Sequence, residues 1–152
     1  MGSLNIEIVY DDDPWKAVTV LWVSRHRPLP AQVKELRRKL GKVRVVMLSG
    51  IIPNAEFVAD IATKFGASYV VPVLPLPFIA RLVELGEKQG FKVLFARMRV
   101  IAEVKNFREA LKVVAEAPDK RVVTTYADGT AKVHEFVSFE LVKEVKVVTE
   151  PW

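Results

Sequence analysis

Four short segments hold the residue types that can do chemistry: Ser24-Arg25-His26-Arg27, the run from Ser49 and Gly50 to Asn54, Leu74-Pro75-Leu76-Pro77, and Arg97-Met98-Arg99. Guanidinium groups hold phosphate or carboxylate oxygens through paired, charge-assisted hydrogen bonds. That makes Arg25, Arg27 and Arg97 the candidate phosphate ligands, with Ser24, Ser49, Gly50 and Arg99 completing the ligand-binding set. Asn54 precedes an apolar stripe at helical spacing, so it is a candidate helix cap, and the free N–H groups of a helix amino end attract anions. His26 is the one group in these segments that titrates near neutral pH, which makes it the candidate catalytic residue. A reaction suited to this set needs only positioning and charge stabilisation. Phosphodiester cleavage by a neighbouring 2′-hydroxyl is of that kind, with arginines holding the phosphate and His26 moving a proton.

Other chemistries lack their residues. Ser24 and Ser49 sit in no G-x-S-x-G elbow, and the four segments contain no acid to orient a histidine, so a Ser/His/Asp triad is not expected. His26 and His134 form no HxxxH or HExxH pattern, and cysteine is absent, which excludes disulfides, thiol catalysis and thiolate metal sites. Asp11-Asp12-Asp13 before Pro14 reads as a solvated turn. His134, beside Glu135, reads as a strand surface residue. Neither a GxGxxG nor a Walker A loop occurs. No metal and no cofactor are expected.

The elements that must position these segments follow from hydrophobic periodicity. Ala17 to Val23, Val43 to Leu48, Ser68 to Leu74 and Phe91 to Ala96 are short apolar, β-branched runs of the kind found in strands buried on both faces. Between them lie helical patterns: Pro30 to Leu40 stopped by Gly41, a helix after Asn54 stopped by Gly66, and a helix opened by Pro77 and stopped by Gly90. The order βαβαβαβ with short connections makes the strands parallel and, by the right-handed crossover rule, sends helices to both faces. The fold class expected is therefore α/β, a Rossmann-like three-layer sandwich with a mainly parallel sheet. All four candidate segments then fall at the carboxyl edge, where open α/β sheets bind ligands.

The ends are predicted to add β structure. Residues 5–10 alternate as an edge strand, and the fourth core strand has a pattern that can continue through Arg99 to Val104. A helix capped by Asn106, with Glu109 at capping-box spacing, stops before Pro118. Arg121 to Tyr126 and Thr130 to Val137 flank Asp128-Gly129 as a hairpin, and Glu144 to Thr149 reads as a last strand. This C-terminal β-hairpin extension either lengthens the sheet or pairs across a homodimer, with Trp152 buried at the contact.

The chain has 152 residues, 51% of them hydrophobic, enough for one domain with its own core. No apolar run reaches the ~18 residues of a membrane span, and residues 1–10 lack the basic patch and apolar stretch of a secretory leader. A cytoplasmic protein without membrane contact is expected. Asn and Gln together number five, against abundant Lys, Arg, Glu and Val, the balance of thermophile proteins.

The net charge of +5 is unevenly placed. Residues 25–44 carry eight bases against Glu35 alone, a local +7, leaving −2 for the remainder. A helix over 30–40 is about 16 Å long, so it separates Arg25 and Arg27 from Lys39, Lys42 and Arg44. Cations in its last turn complement the helix dipole. An alternative use of Lys34, Arg37, Arg38 and Lys42 is to bind a nucleic-acid backbone, although the segment lacks interleaved aromatics.

The βα order and the basic rim loosely resemble the Rossmann-type sensor domains of CRISPR-associated proteins. That resemblance implies cyclic-oligonucleotide binding at the carboxyl edge, often in a dimer. From the residues themselves the expected partner is an anionic small molecule or oligonucleotide, the leading function is binding of a nucleotide-like or phosphate-bearing ligand, and the third possibility is a non-catalytic homodimeric interaction module.

Overall fold

A computed structural model describes residues 3–13 and 15–152; Met1, Gly2 and Pro14, the end of the acidic connection read from the sequence, lie outside the described residues. The elements are β1 (Asn5–Asp11), β2 (Val18–Val23), α1 (Pro30–Leu40), β3 (Val43–Ser49), α2 (Ala55–Lys64), β4 (Tyr69–Pro72), α3 (Leu76–Gln89), β5 (Lys92–Val104), α4 (Phe107–Ala115), β6 (Arg121–Thr125) and β7 (Ala131–Val142). The predicted helices and the first seven of the eight predicted strands are thus present, with ends displaced by a few residues, and β5 takes the longer of its two expected courses, running on to Val104.

The arrangement corrects the expected fold class. The strands form a seven-stranded sheet in the order β1-β3-β2-β4-β5-β7-β6. Parallel pairing is confined to β3 with β2, β2 with β4 and β4 with β5. The pairs β1 with β3 and β6 with β7 are antiparallel. Ion pairs Arg97–Glu140, Arg99–Glu135 and Glu103–Lys132 climb β5 as they descend β7, so this pair is antiparallel too. A mixed α/β sheet with four helices therefore replaces the Rossmann-like three-layer sandwich. The physical cause is β5: it does not end where a parallel strand would hand over to a loop, but runs on for 13 residues and pairs its outer half with β7.

The chain divides into two compact units, Met1–Arg27 with Leu40–Phe95 and Leu141–Trp152, and Pro28–Lys39 with Ala96–Glu140. In the first, Leu21 and Val23 of β2 and Val46 and Leu48 of β3 alternate onto one face, where Val58 and Ala62 of α2 and Ile79 and Leu82 of α3 cover them. Strand β1 is the expected edge strand, but it lies beside β3 rather than making a hairpin with β2. Its register shifts between Ile8 and Tyr10, a local irregularity of the kind that edge strands use to discourage further pairing. The acids that follow β1 are structural. Asp11 pairs with Arg44 and Asp13 with Lys42, while Asp12 accepts from the Tyr10 hydroxyl and the Val43 N–H.

The second unit has its own small core, in which Ala110 of α4 meets Ala131 and Val133 of β7, with Ile101, Val104 and Val123 at its margin. Asn106 Oδ1 accepts from the Glu109 N–H at 2.9 Å, the forward half of the expected capping box. The Asp-Gly hairpin forms: the Asp128 carboxylate accepts from both the N–H and the hydroxyl of Thr130, and Gly129 takes the positive φ of 89°. Strands β6 and β7 extend the sheet. The last predicted strand, over 144–149, does not form; residues 143–152 have no regular structure, because Val145 packs on the first core while Val147, Val148 and Trp152 stand in solvent.

Helix α3 contains a buried glycine that its position requires. A Cβ on Gly86 would run into the Phe91 carbonyl oxygen and meet the Phe91 ring at 3.1 Å, so the helix lies as close to the start of β5 as backbone allows. Alanine would gain about 1 kcal/mol of helix propensity but overfill this contact. Gly86→Ala is expected to lower the free energy of unfolding by about 1–3 kcal/mol net, measured by urea denaturation; an unchanged or raised midpoint would show that α3 can move away without cost.

Candidate functional site

The register of the three central strands builds a cavity. Val23 lies opposite both Leu48 and Pro72, so β2, β3 and β4 finish level and their next residues leave the sheet side by side. Two hydrogen bonds fasten these exits: the Ser24 N–H donates to the Leu48 carbonyl at 3.2 Å and the Val73 N–H to the Val23 carbonyl at 2.8 Å. Between the exits is a cavity of about 400 Å³, lined by residues 23–25, 48–52, 73–75 and Phe78. It belongs entirely to the first unit. It also lies where β3 and β4 flank β2 on opposite sides, the strand-order reversal at which open α/β sheets take ligands.

The cavity collects Ser24, Arg25, Ser49 and Gly50 of the nine sequence candidates. Its one charged lining residue is Arg25, which is exposed and has no hydrogen-bond or ion-pair partner among the described residues. The loop carrying it is tightly held. The Trp22 indole N–H donates to the His26 carbonyl at 3.1 Å, and the His26 N–H donates to the Ser24 hydroxyl at 3.1 Å. Gly50 is needed on two counts: its φ is 110°, and a Cβ would run into the Ser3 carbonyl oxygen crossing behind it.

The remaining candidates go elsewhere. Arg27 makes two hydrogen bonds to the Glu7 carboxylate, at 3.1 and 3.2 Å. His26 is exposed and does not line the cavity. Asn54 is the predicted cap of α2, its Oδ1 accepting from the Phe57 N–H at 2.8 Å, and it too lies outside the lining. Arg97 and Arg99 are not in a loop at all. They sit within β5 in the second unit, where Arg97 is bound by Glu140 at 2.6 and 3.0 Å and Arg99 by Glu135. Each arginine holds its partner's carboxyl below the usual range.

What the sequence candidates omitted is the apolar wall. Ile51, Ile52, Val73, Leu74 and Phe78 surround Arg25 with hydrocarbon, and Pro75 begins α3 at the cavity edge without a side-chain cap. A phenylalanine in the first turn of a helix was the available signal, but at helical spacing it reads first as core. Among the lining residues there is no carboxylate and no imidazole. The arrangement suits binding, with the Ser24 and Ser49 hydroxyls as its uncharged polar groups. No group of three His, Asp or Glu side chains among the described residues can hold a metal ion.

The basic segment 25–44 is largely neutralised. Arg38 pairs with Glu35, Lys42 with Asp13, Arg44 with Asp11 and Arg27 with Glu7, and Arg37 also has an interaction partner. On α1 itself Arg38 is held by Glu35, while Lys34 and Lys39 have no ion-pair partner among the described residues. No family model, no curated protein and no solved structure matches the chain.

The buried carboxylate of Glu135 yields a test of the second unit. Arg99, then Arg121, hydrogen-bond it, with Lys120 alongside, and they pull its pKa from 4.5 down to about 2. A depressed carboxyl pKa stabilises the fold above the unfolded value and loses that contribution as pH falls through the folded one. The melting temperature is therefore expected to drop between pH 4.5 and about 2, and to drop less steeply in Glu135→Gln, which should be the less stable protein at neutral pH. Circular-dichroism melts across this range check it; equal acid slopes in both proteins would contradict the assignment.

Proposed function

We propose that this chain binds a small anionic ligand of nucleotide type in the cavity at the carboxyl ends of β2, β3 and β4. The observation that carries the reading is Arg25: a guanidinium without a protein partner, at the mouth of an apolar cavity, in a region where neighbouring cations are paired. A free guanidinium presents a planar fork that matches two phosphate oxygens. The walls suit the other half of such a ligand, with Phe78 offering an aromatic surface for a base or similar ring. The uncapped amino end of α3 adds the positive end of a helix dipole. The volume of about 400 Å³ falls within the range of small-molecule sites.

This role needs recognition and no catalytic group. His26 stands outside the lining, so phosphodiester cleavage is not part of the proposal. Binding is expected to discriminate by phosphate and ring together, so that inorganic phosphate alone binds more weakly than a mononucleotide or a cyclic dinucleotide.

Isothermal titration with inorganic phosphate, mononucleotides and cyclic dinucleotides tests the proposal. Arg25→Ala is expected to weaken the tightest of these by at least about tenfold, the equivalent of ~1.4 kcal/mol. Phe78→Ala should weaken ring-bearing ligands more than phosphate. The reading fails if no phosphate ligand binds the wild type, or if every one that binds does so equally well to Arg25→Ala.

A further inference from the structure

A second cavity and an unpaired chain segment lie in the same unit and have complementary surfaces. The cavity, of about 510 Å³, is floored by Val83 and Gly86 of α3, Phe91 before β5, and Leu141 and Val142 at the end of β7. Gly86 contributes by lacking a side chain, which leaves backbone at the floor. Three charged side chains stand at the rim, Glu87, Lys92 and Lys143. None has a side-chain partner among the described residues.

The segment is 143–152, which leaves β7 at the cavity wall and forms no ladder with any strand. It carries three large apolar side chains fully in solvent: Val147, Val148 and Trp152 are 86%, 92% and 120% exposed. Such a concentration of exposed hydrocarbon marks an interaction surface. Glu150, set among them, also lacks a side-chain partner, whereas Lys146 is paired with Glu144. An apolar segment with one free acid thus matches an apolar cavity whose rim, with Lys92 and Lys143 against Glu87, is net positive.

The segment cannot easily serve its own cavity. Lys143 forms part of the wall and Val145, two residues on, is packed on the core. With Val145 held there, residues 147–152 could fold back over Leu141 only by reversing direction within one or two residues. A second copy meets no such restriction. Exchange between two copies is also self-complementary, since each copy offers one segment and one cavity, so a two-fold axis closes the assembly with every contact made twice.

We infer that this protein forms a symmetric dimer by exchanging residues 147–152, the Val147, Val148 and Trp152 side chains of each copy filling the cavity of the other, with Glu150 facing Lys92 and Lys143. The surface is distinct from the ligand cavity, so dimer formation and ligand binding are separable.

Sedimentation equilibrium or light scattering with the full chain tests it, using Trp152→Ala on the segment and Leu141→Glu on the cavity. Leu141 is already half-exposed, so its replacement should leave the fold intact, which circular dichroism checks. The wild type is expected to have the mass of two chains, with the association constant reduced at least about tenfold in either variant. An equimolar mixture of the two variants retains one intact segment with one intact cavity and should recover two-chain species. A monomeric wild type, a dimer unaffected by either variant, or a mixture that fails to recover pairing would each overturn the inference.

Discussion

Strand β2 is hydrogen-bonded in parallel on both sides, to β3 over Val18–Val23 and to β4 over Val20–Val23. Placing a strand there has one requirement: both faces and both edges are out of water, so its side chains must be apolar and its backbone groups fully paired. Residues 20–23 satisfy this, with Val20, Leu21 and Val23 essentially without solvent contact. The same double pairing aligns the ends of β3, β2 and β4. Three chain exits then converge in one place, and a cavity forms without a dedicated motif. The absence of a Gly-rich phosphate loop is consistent with that origin, since the site is built by register and lined mostly by ordinary hydrophobic residues.

Charge in this protein is arranged locally. The acids of the β1–β2 connection meet bases around β3, Glu35 meets Arg38 on one helix turn, and Glu7 reaches Arg27. Most of these pairs are exposed and contribute little to stability individually. Each pair also takes up a cation that the composition alone would count as free. Arg25 has no such partner among the described residues, and it is the only charged residue that lines the cavity. In the second unit the balance runs the other way. A single buried carboxylate, Glu135, gathers Arg99, Arg121 and Lys120; leaving such a group unpaired inside a small core would be costly. Two arginines that look alike in the sequence, Arg25 and Arg99, thus serve a surface that stays open and a core that must be neutralised.

Some features were legible in the amino-acid order because they depend on neighbouring residues. Helix limits were set by Pro30, Asn54, Gly90 and Asn106, whose effects act within one turn. The hairpin at Asp128-Gly129 and the apolar runs of β2, β3 and β4 are equally local. So was the edge of the sheet at which the cavity lies, since short crossover connections make the central strands parallel and bring their carboxyl ends to one side. Four of the sequence candidates, Ser24, Arg25, Ser49 and Gly50, line that cavity.

The rest depended on distant partners. Arg97 and Arg99 satisfy both a loop and a strand by composition, and only pairing with β7, some forty residues later in the chain, decides for the strand. That choice also decided the fold, because an antiparallel neighbour on β5 replaces the parallel continuation that would have completed a layered sandwich. Likewise, Val147 and Val148 alternate like a strand but have no strand to meet. Periodicity states which side of a segment is apolar; it does not state what covers it. The sequence by itself determined the local elements, the central parallel strands and the sheet edge at which the cavity lies, through interactions spanning a few residues. Tertiary structure alone decided which cations remain free and where the sheet turns antiparallel, since both are settled by groups that meet only after the chain has folded.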